Sequence, residues 1–266
     1  MKRSPWRKKA IQSFAALLFG LGIWQATALL IQSMRGVPFP APADCLSGLA
    51  RMLGGAIFLN HTIYHHILAS CLRWGQGFIT AFTMGIVYAF VVTCRPALKA
   101  ISMPTVEVLQ LIPGLAWVPV AILLLGLNPA ASVVIIVLTT FPIVAVAGVM
   151  GFGCVEAPYI HAGRMCGYGL FGLFRTVYLP YALPHLLSGT RIAIGSSWRV
   201  LVAAEMVVGS GNGLGYAIIQ SRWTMDYVSA FVCIGIIAAI GLILERLLLL
   251  PLERRIRRYG KTDYGG

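Results

Sequence analysis

Glu156-Ala157-Pro158-Tyr159-Ile160-His161-Ala162-Gly163-Arg164-Met165-Cys166-Gly167, then Tyr168 to Val177 and Tyr178-Leu179-Pro180, interrupts an otherwise strongly apolar chain of 266 residues. The stretch from Gly153 to Gly189 is too long for a simple connector. Pro158 suits the first turn of a helix, where a missing N–H costs nothing, and Glu156 just ahead favours the positive helix end. Gly167 is a natural C-terminal stop. Leu170, Phe171, Phe174 and Val177 recur at i, i+1, i+4 and i+7, which predicts a second short amphipathic helix ending before Pro180. Two short helices rich in aromatic residues at a hinge look like a docking surface for another protein.

The rest of the chain explains why such a surface stands out. Residues are 58% hydrophobic and only 11% charged, where a soluble domain carries about 25% charged residues. Mean hydropathy is +0.82. Water cannot solvate that composition in any compact arrangement, so lipid is the solvent. Six apolar segments, roughly 10–32, 70–93, 104–126, 130–150, 188–209 and 228–250, each approach the about 20 residues a helix needs to cross a bilayer. They are expected to be helices, because hydrocarbon offers backbone groups no partner.

The formal charge of +13 does not point to nucleic acid, because of where it sits. Five of the 21 basic residues fall in the first nine (Lys2, Arg3, Arg7, Lys8, Lys9), and six lie near the other end (Arg246, Arg254, Arg255, Arg257, Arg258, Lys261). Basic residues flanking apolar spans mark the cytoplasmic side. Two basic ends on one side require an even number of crossings, which six satisfies. Arg95, Lys99, Arg164 and Arg175 then fall on the cytoplasmic side, and Arg35, Arg51, Arg73 and Arg222 opposite. The expected fold is an all-α membrane protein with six transmembrane helices, both termini inside, and a two-helix cytoplasmic loop between the fourth and fifth. Residues 1–69 hold the first span and an external segment, 70–255 the core with its loop at 153–187, and 256–266 a basic tail.

Ala26-Thr27-Ala28 resembles a signal-peptide cleavage site, but the apolar run continues to Ile31, so the segment reads as a span. The external segment opens with the extended turn Val37-Pro38-Phe39-Pro40-Ala41-Pro42, and Leu46 to Ile67 suits an interfacial helix. His61 and His65 have metal-like spacing, yet no carboxylate or cysteine joins them, so amphipathic side chains at an interface are the simpler account and no metal is expected. The six cysteines show neither CxxC nor metal-ligand spacing. Pro113, Pro119 and Pro142 break or bend helices, as ordinary kinked packing or around a water-lined path. Gly85, Gly114 and Gly148 offer close-packing positions.

At this point the loop resembles a known family. Gly167, nine residues, Val177, Tyr178 and Leu179-Pro180 reproduce the second half of the cytoplasmic signature of binding-protein-dependent ABC transporter permeases: EAA, three residues, Gly, nine residues, Ile, any residue, Leu-Pro. The first half falls on His161-Ala162-Gly163, so His161 stands where the family has Glu, and Glu156 matches an acidic residue five positions earlier. Further matches run in order: Ser70-Cys71-Leu72-Arg73 with Gly77-Phe78, Leu111 to Pro119, Phe141-Pro142, Gly189-Thr190-Arg191-Ile192-Ala193, Ala204-Glu205-Met206 and Gly213-Leu214-Gly215-Tyr216. They cover about residues 38–255 and resemble most the nitrate/sulfonate/taurine branch. The resemblance implies a type I importer permease. Two copies form the pathway, two separate ATPase subunits drive it, and a periplasmic or lipid-anchored binding protein delivers the solute. It also implies that Glu156, His161, Ala162, Gly163, Arg164, Gly167, Leu179 and Pro180 couple to the ATPase.

The chain carries no nucleotide site of its own. It has five lysines, and the one in Gly260-Lys261-Thr262 lacks the first glycine of a phosphate-cradling loop, with Arg255 in its place. No catalytic constellation is present: His161 and His185 lie in the loop without a nucleophile or metal motif. No cofactor is expected. Arg199 and Glu205 fall inside the fifth span, where a charge costs about 2.5–3.5 kcal/mol and therefore faces protein or water. Arg191, Gly195, Trp198, Val202 and Glu205 share one helical face, with Arg199 beside it. Either they line a pathway together with Pro113 and Pro119, in which Arg199 meets an anionic solute, or they form a structural pair between spans. An ion-coupled secondary transporter remains the alternative, though no inverted repeat or acid chain supports it.

Overall fold

The computed structural model describes residues 5–35, 39–209 and 211–259, with side chains within 16, 18–34, 39–209 and 211–246. The basic clusters Lys2–Lys9 and Arg254–Lys261, the tail 256–266 as a basic surface, and the opening Val37-Pro38 of the external turn lie outside those side chains. The chain is helical almost throughout. In order it forms α1 (Pro5–Arg35), α2 (Pro42–Leu53), a two-stranded hairpin of β1 (Ile57–Phe58) and β2 (His61–Thr62), α3 (Ile63–Thr93), α4 (Pro96–Leu111), a 3-10 turn at Gly114–Trp117, α5 (Val118–Leu125), α6 (Pro129–Gly153), α7 (Ala157–Met165), α8 (Leu170–Leu173), a π turn at Phe174–Tyr178, α9 (Leu179–Val208), α10 (Leu214–Trp223) and α11 (Tyr227–Tyr259).

Two compact units result, one of residues 1–64 and 217–236, the other of 65–216 and 237–266. In the first, Trp24 stacks on Phe231 at 5.9 Å and donates Nε1 to the Pro40 carbonyl at 3.0 Å. Gly48 of α2 lies where an added Cβ would stand 3.0 Å from Val228. Leu46 and Leu53, on the opposite face of α2, and Ile57 of β1 are exposed, and the stretch Leu46 to Ile67, expected as one interfacial helix, is instead the end of α2, the hairpin and the start of α3.

The second unit is built on α6 and α9. Asn128 accepts the Ala130 N–H at 2.9 Å and Pro129 occupies the first helical position, so α6 starts with its cap satisfied. Small residues line its contacts. A Cβ on Gly189 would lie 2.2 Å from the Ala147 methyl, one on Gly148 2.6 Å from Ala89, and one on Gly85 2.8 Å from Val144. Backbones approach this closely only without side chains between them, the packing mode of helices in lipid.

Among the described residues, three helices are long and apolar enough to cross a membrane: Ile63–Thr93, Pro129–Gly153 and the Tyr227–Arg246 part of α11. α3 begins seven residues before the segment 70–93 expected from hydropathy, so Arg73 is not an external loop charge but a residue within the helix, 7% exposed. The segment 104–126 is not one kinked span. α4 and the Gly114–Leu125 arm meet at a 100° bend and make a fourth crossing only as a pair. Pro113 supplies no N–H to continue α4, and Gly114 seats its backbone against α6 and α9, where a Cβ would meet Thr139 and Val200 at 2.7 Å. α1 contributes a shorter apolar stretch, Leu18–Met34. α9 carries Arg191, Arg199 and Glu205 within its length, which removes it from a count made on apolarity alone.

Candidate functional site

The two ends of α9 hold the residues singled out from sequence. At its N-terminal end, α7 starts after Glu156, whose carbonyl accepts the Tyr159 N–H at 3.1 Å and whose side chain makes no cap bond. Pro158 sits in the first turn, as expected. The helix closes through Cys166 N–H to Ala162 O and Tyr168 N–H to Gly163 O, at 3.0 and 3.1 Å, and Gly167 adopts φ +78°. That left-handed conformation favours glycine and lets the chain reverse into α8.

The second short helix does not end before Pro180. α8 is four residues long, passes into the π turn and runs on into α9, with Pro180 in the first turn of α9. A proline ring clashes with the carbonyl four residues earlier. The wider π turn at Phe174–Tyr178 relieves that crowding, so the chain stays helical where sequence logic predicts a stop.

Gly163 is the contact point of the two short helices. A Cβ there would lie 2.7 Å from Leu173 Cδ2 and 3.3 Å from Val177 Cγ2. Beneath it, Phe90, Phe152, Phe174 and Tyr178 interlock edge to face with centroids 4.8–6.2 Å apart. Burial raises the Tyr178 phenol above its ordinary value, so it stays protonated in this core at neutral pH. The loop is thus seated on the ends of α3 and α6 while its outer face stays bare. Met165 is 89%, Phe171 76% and Leu170 68% exposed. A groove of about 420 Å³ opens among Tyr159, Gly163, Cys166, Tyr168, Val177 and Pro180. Ala162 lines the same groove, His161 and Arg164 stand exposed beside it, and Leu179 is half-buried.

Along α9 the expected common face divides. Arg191, Gly195 and Arg199 lie on the open side. Arg199 donates Nε to the Gly195 carbonyl at 3.0 Å, and Arg191 pairs with Glu245 at 2.8 Å. Trp198 and Glu205 lie on the buried side, with Val202 between. Trp198 donates to the Ile237 carbonyl at 3.0 Å and meets Trp74 edge to face at 6.4 Å. The stripe spans enough of the helix circumference to straddle the edge of the packed surface. Pro113 and Pro119 are exposed at the break beside α5, and Gly114 there touches Val200, next to Arg199.

Glu205 is 0% exposed and lines no path within the chain. Its carboxylate accepts Arg73 Nη1 at 2.6 Å, Ser70 Oγ at 2.8 and 2.9 Å, and the Gly215 N–H at 3.0 Å. Arg73 also donates Nη1 to the Asn212 carbonyl at 3.0 Å and Nη2 to the Asn212 side chain. The ordered motif matches therefore converge. Ser70…Arg73, Ala204-Glu205-Met206 and Gly213-Leu214-Gly215 meet at one carboxylate.

The chain as a whole is similar to known proteins. A match to the family described as the binding-protein-dependent transport system inner membrane component runs over residues 81–258. The chain belongs to that family. The permease is 29% identical over 254 residues to the taurine transport system permease protein TauC of Escherichia coli, covering 96% of this chain and 91% of that one. It is also 29% identical over 272 residues to the nitrate import permease protein NrtB of Synechocystis, covering 96% of each. A chain of the MetNI methionine ABC transporter in an inward-facing conformation matches in fold with a TM-score of 0.52 at 20% identity, over 80% of this chain and 97% of that chain. The chain is therefore an ABC importer permease subunit of the type I fold and a multi-pass inner-membrane protein.

Sequence reasoning missed the partners of Glu205. Each motif was visible, but nothing local links residues 132 to 144 positions apart. His66, from the histidine run, is also buried and accepts the Gly213 N–H on Nδ1 at 3.1 Å. Among the described residues no group of three or more His, Cys, Asp or Glu is placed to hold a metal ion.

Proposed function

We propose that the permease pairs with a second copy of itself to form a pathway for a small anionic solute, driven by two separate ATPase subunits docked on α7 and α8. In this reading α1 and α9 complete six crossings with both termini in the cytoplasm, and residues 70–255 are the working core. The observation that carries it is the exposed apolar face at Leu170, Phe171 and Met165 on a loop rigidly seated by Gly163 and the Phe90–Phe152–Phe174–Tyr178 core. A face of this kind on a firm base suits a partner that pushes, because force applied there passes through the π turn directly into α9. Glu156, His161, Ala162, Arg164, Gly167, Leu179 and Pro180 shape that surface. His161 in place of the family's glutamate removes a carboxylate from it, so docking rests more on apolar contact than on charge.

Arg199 supports the anionic solute. It is exposed on α9 and, among the described residues, bonds only locally, to Gly195, and a cation within a span requires water or an anion nearby. Taurine and nitrate, named for the relatives, both present anionic oxygens. A periplasmic or lipid-anchored binding protein delivers the solute, and ATP hydrolysis belongs to the partner chain.

The test is co-purification and transport. Co-expressed with its ATPase, the chain is expected to form a complex that takes up solute into vesicles only when ATP and binding protein are supplied. Uptake driven by an ion gradient with no ATPase present would contradict the proposal.

A further inference from the structure

The end of α9 is held by something other than its own backbone. Gly209, Gly211 and Gly213 have φ of +65°, +75° and +118°, so the turn from α9 to α10 is made of residues with little stiffness of their own. What fixes it comes from α3. Ser70 accepts the Leu214 N–H at 2.8 Å, His66 accepts that of Gly213, and Arg73 binds Asn212 twice. Glu205 takes the Gly215 N–H, so α3 and α9 together cap the first turn of α10. The fit is tight. A Cβ on Gly213 would lie 2.6 Å from the Glu205 carboxyl, and one on Gly215 2.3 Å from the Val202 carbonyl.

We infer that Arg73 and Glu205 are positioning residues for transport, a buried latch that makes the start of α3, the end of α9 and the first turn of α10 move as one body. The inference rests on the importer reading for its role in transport, though not for the latch itself. A buried ion pair adds little stability over well-packed apolar side chains, but parting the pair leaves two uncompensated charges, so it opens far less readily than an apolar contact. The two-pronged guanidinium also fixes one register between the helices. Arg199 lies six residues before Glu205, about 9 Å along the helix axis. Motion delivered to α9 from its loop end thus carries the proposed pathway arginine and the latched segments together.

Spin labels test this without knowledge of the solute. Leu72 on α3 and Val207 on α9 are 56% and 52% exposed and outside the latch. Each is replaced by cysteine in a chain whose six native cysteines are removed. Double electron–electron resonance is expected to give one narrow distance between them in the chain alone. The combined Arg73→Met and Glu205→Gln variant, which keeps the arginine's unbranched stem and the shape of the glutamate while removing both charges, is expected to broaden it. In complex with the ATPase, the narrow distance is expected to stay the same in nucleotide-free and ATP–vanadate-trapped states. A distance that shifts on trapping, or that stays narrow when the pair is neutralised, overturns the inference. If the double variant cannot be recovered, Arg73→Lys, which lacks the second prong that holds the Asn212 side chain, takes its place with the same two outcomes. Absence of any ATPase complex would instead defeat the importer reading and leave the comparison in the chain alone to decide the latch.

Discussion

The two ends of α9 are held in opposite ways. At Leu179 the helix rises out of a loop whose polar groups are mostly exposed and whose apolar side chains, Leu170, Phe171 and Met165, also point outward. At Val208 it ends in a turn whose buried N–H groups at Gly213, Leu214 and Gly215 are accepted by His66, Ser70 and Glu205, while Arg73 binds the half-buried Asn212 and the Glu205 carboxylate. The first end is incomplete alone and the second is complete alone. An end that leaves apolar area bare on a rigid base is built to receive a partner. An end that buries charge only where every bond is made is built to hold its own geometry. In the proposed mechanism, force entering at the loop end carries the latched end along with it.

The largest expected effect tests the complete end. Glu205→Ala leaves Arg73 buried without its carboxylate and is expected to destabilise the chain by about 3–5 kcal/mol. Thermal unfolding of the detergent-purified protein reads this, and a midpoint equal to wild type would show that the end is not held by this pair. Next comes the incomplete end. Gly163→Leu forces a side chain into Leu173 and is expected to cost about 1–3 kcal/mol by overpacking. Its sharper signature is loss of ATPase co-purification while the bundle stays folded. A variant that still binds the ATPase would separate the docking face from the seating of α7.

Between the two ends, Arg199→Ala is expected to leave unfolding unchanged and to slow uptake about tenfold or more, the worth of one hydrogen bond to a charged group. Unchanged uptake would remove Arg199 from the pathway. The smallest effect belongs to Arg191. Its pair with Glu245 has side chains 57% and 43% exposed, and exposed pairs contribute about 0–1 kcal/mol. Arg191→Ala is therefore expected to shift stability within that range, measured in the same unfolding assay. A larger loss would mean that the pair is buried in the proposed dimer.

Much of the incomplete end was legible in sequence, because its signals are local. Pro158, Gly167 and the spacing of Leu170 to Val177 place α7 and the start of α8 without any knowledge of neighbours. Gly85, Gly114 and Gly148 were readable as close approaches, and all three are. The run from α8 into α9 was not legible. Pro180 read as a terminator, and only the π turn shows how the chain accommodates it. The break after Leu111 was half legible: proline announces a bend, but both arms are apolar, so hydropathy draws one span where the chain makes a 100° corner. The latch was invisible for a different reason. Arg73 looked like a loop charge because α3 begins at Ile63 rather than at Ser70. Its partners are set by packing across more than 130 residues, a separation that no periodicity reports.

The most direct test of the account is where Met165 goes in the assembled transporter. With the six native cysteines removed, a Met165→Cys chain is expected to resist membrane-impermeant thiol reagents added outside the cell and, in a separate sample whose thiol carries a short photo-crosslinker, to join covalently to the ATPase subunit. Labelling from outside, or no crosslink in a complex that still transports, would contradict it.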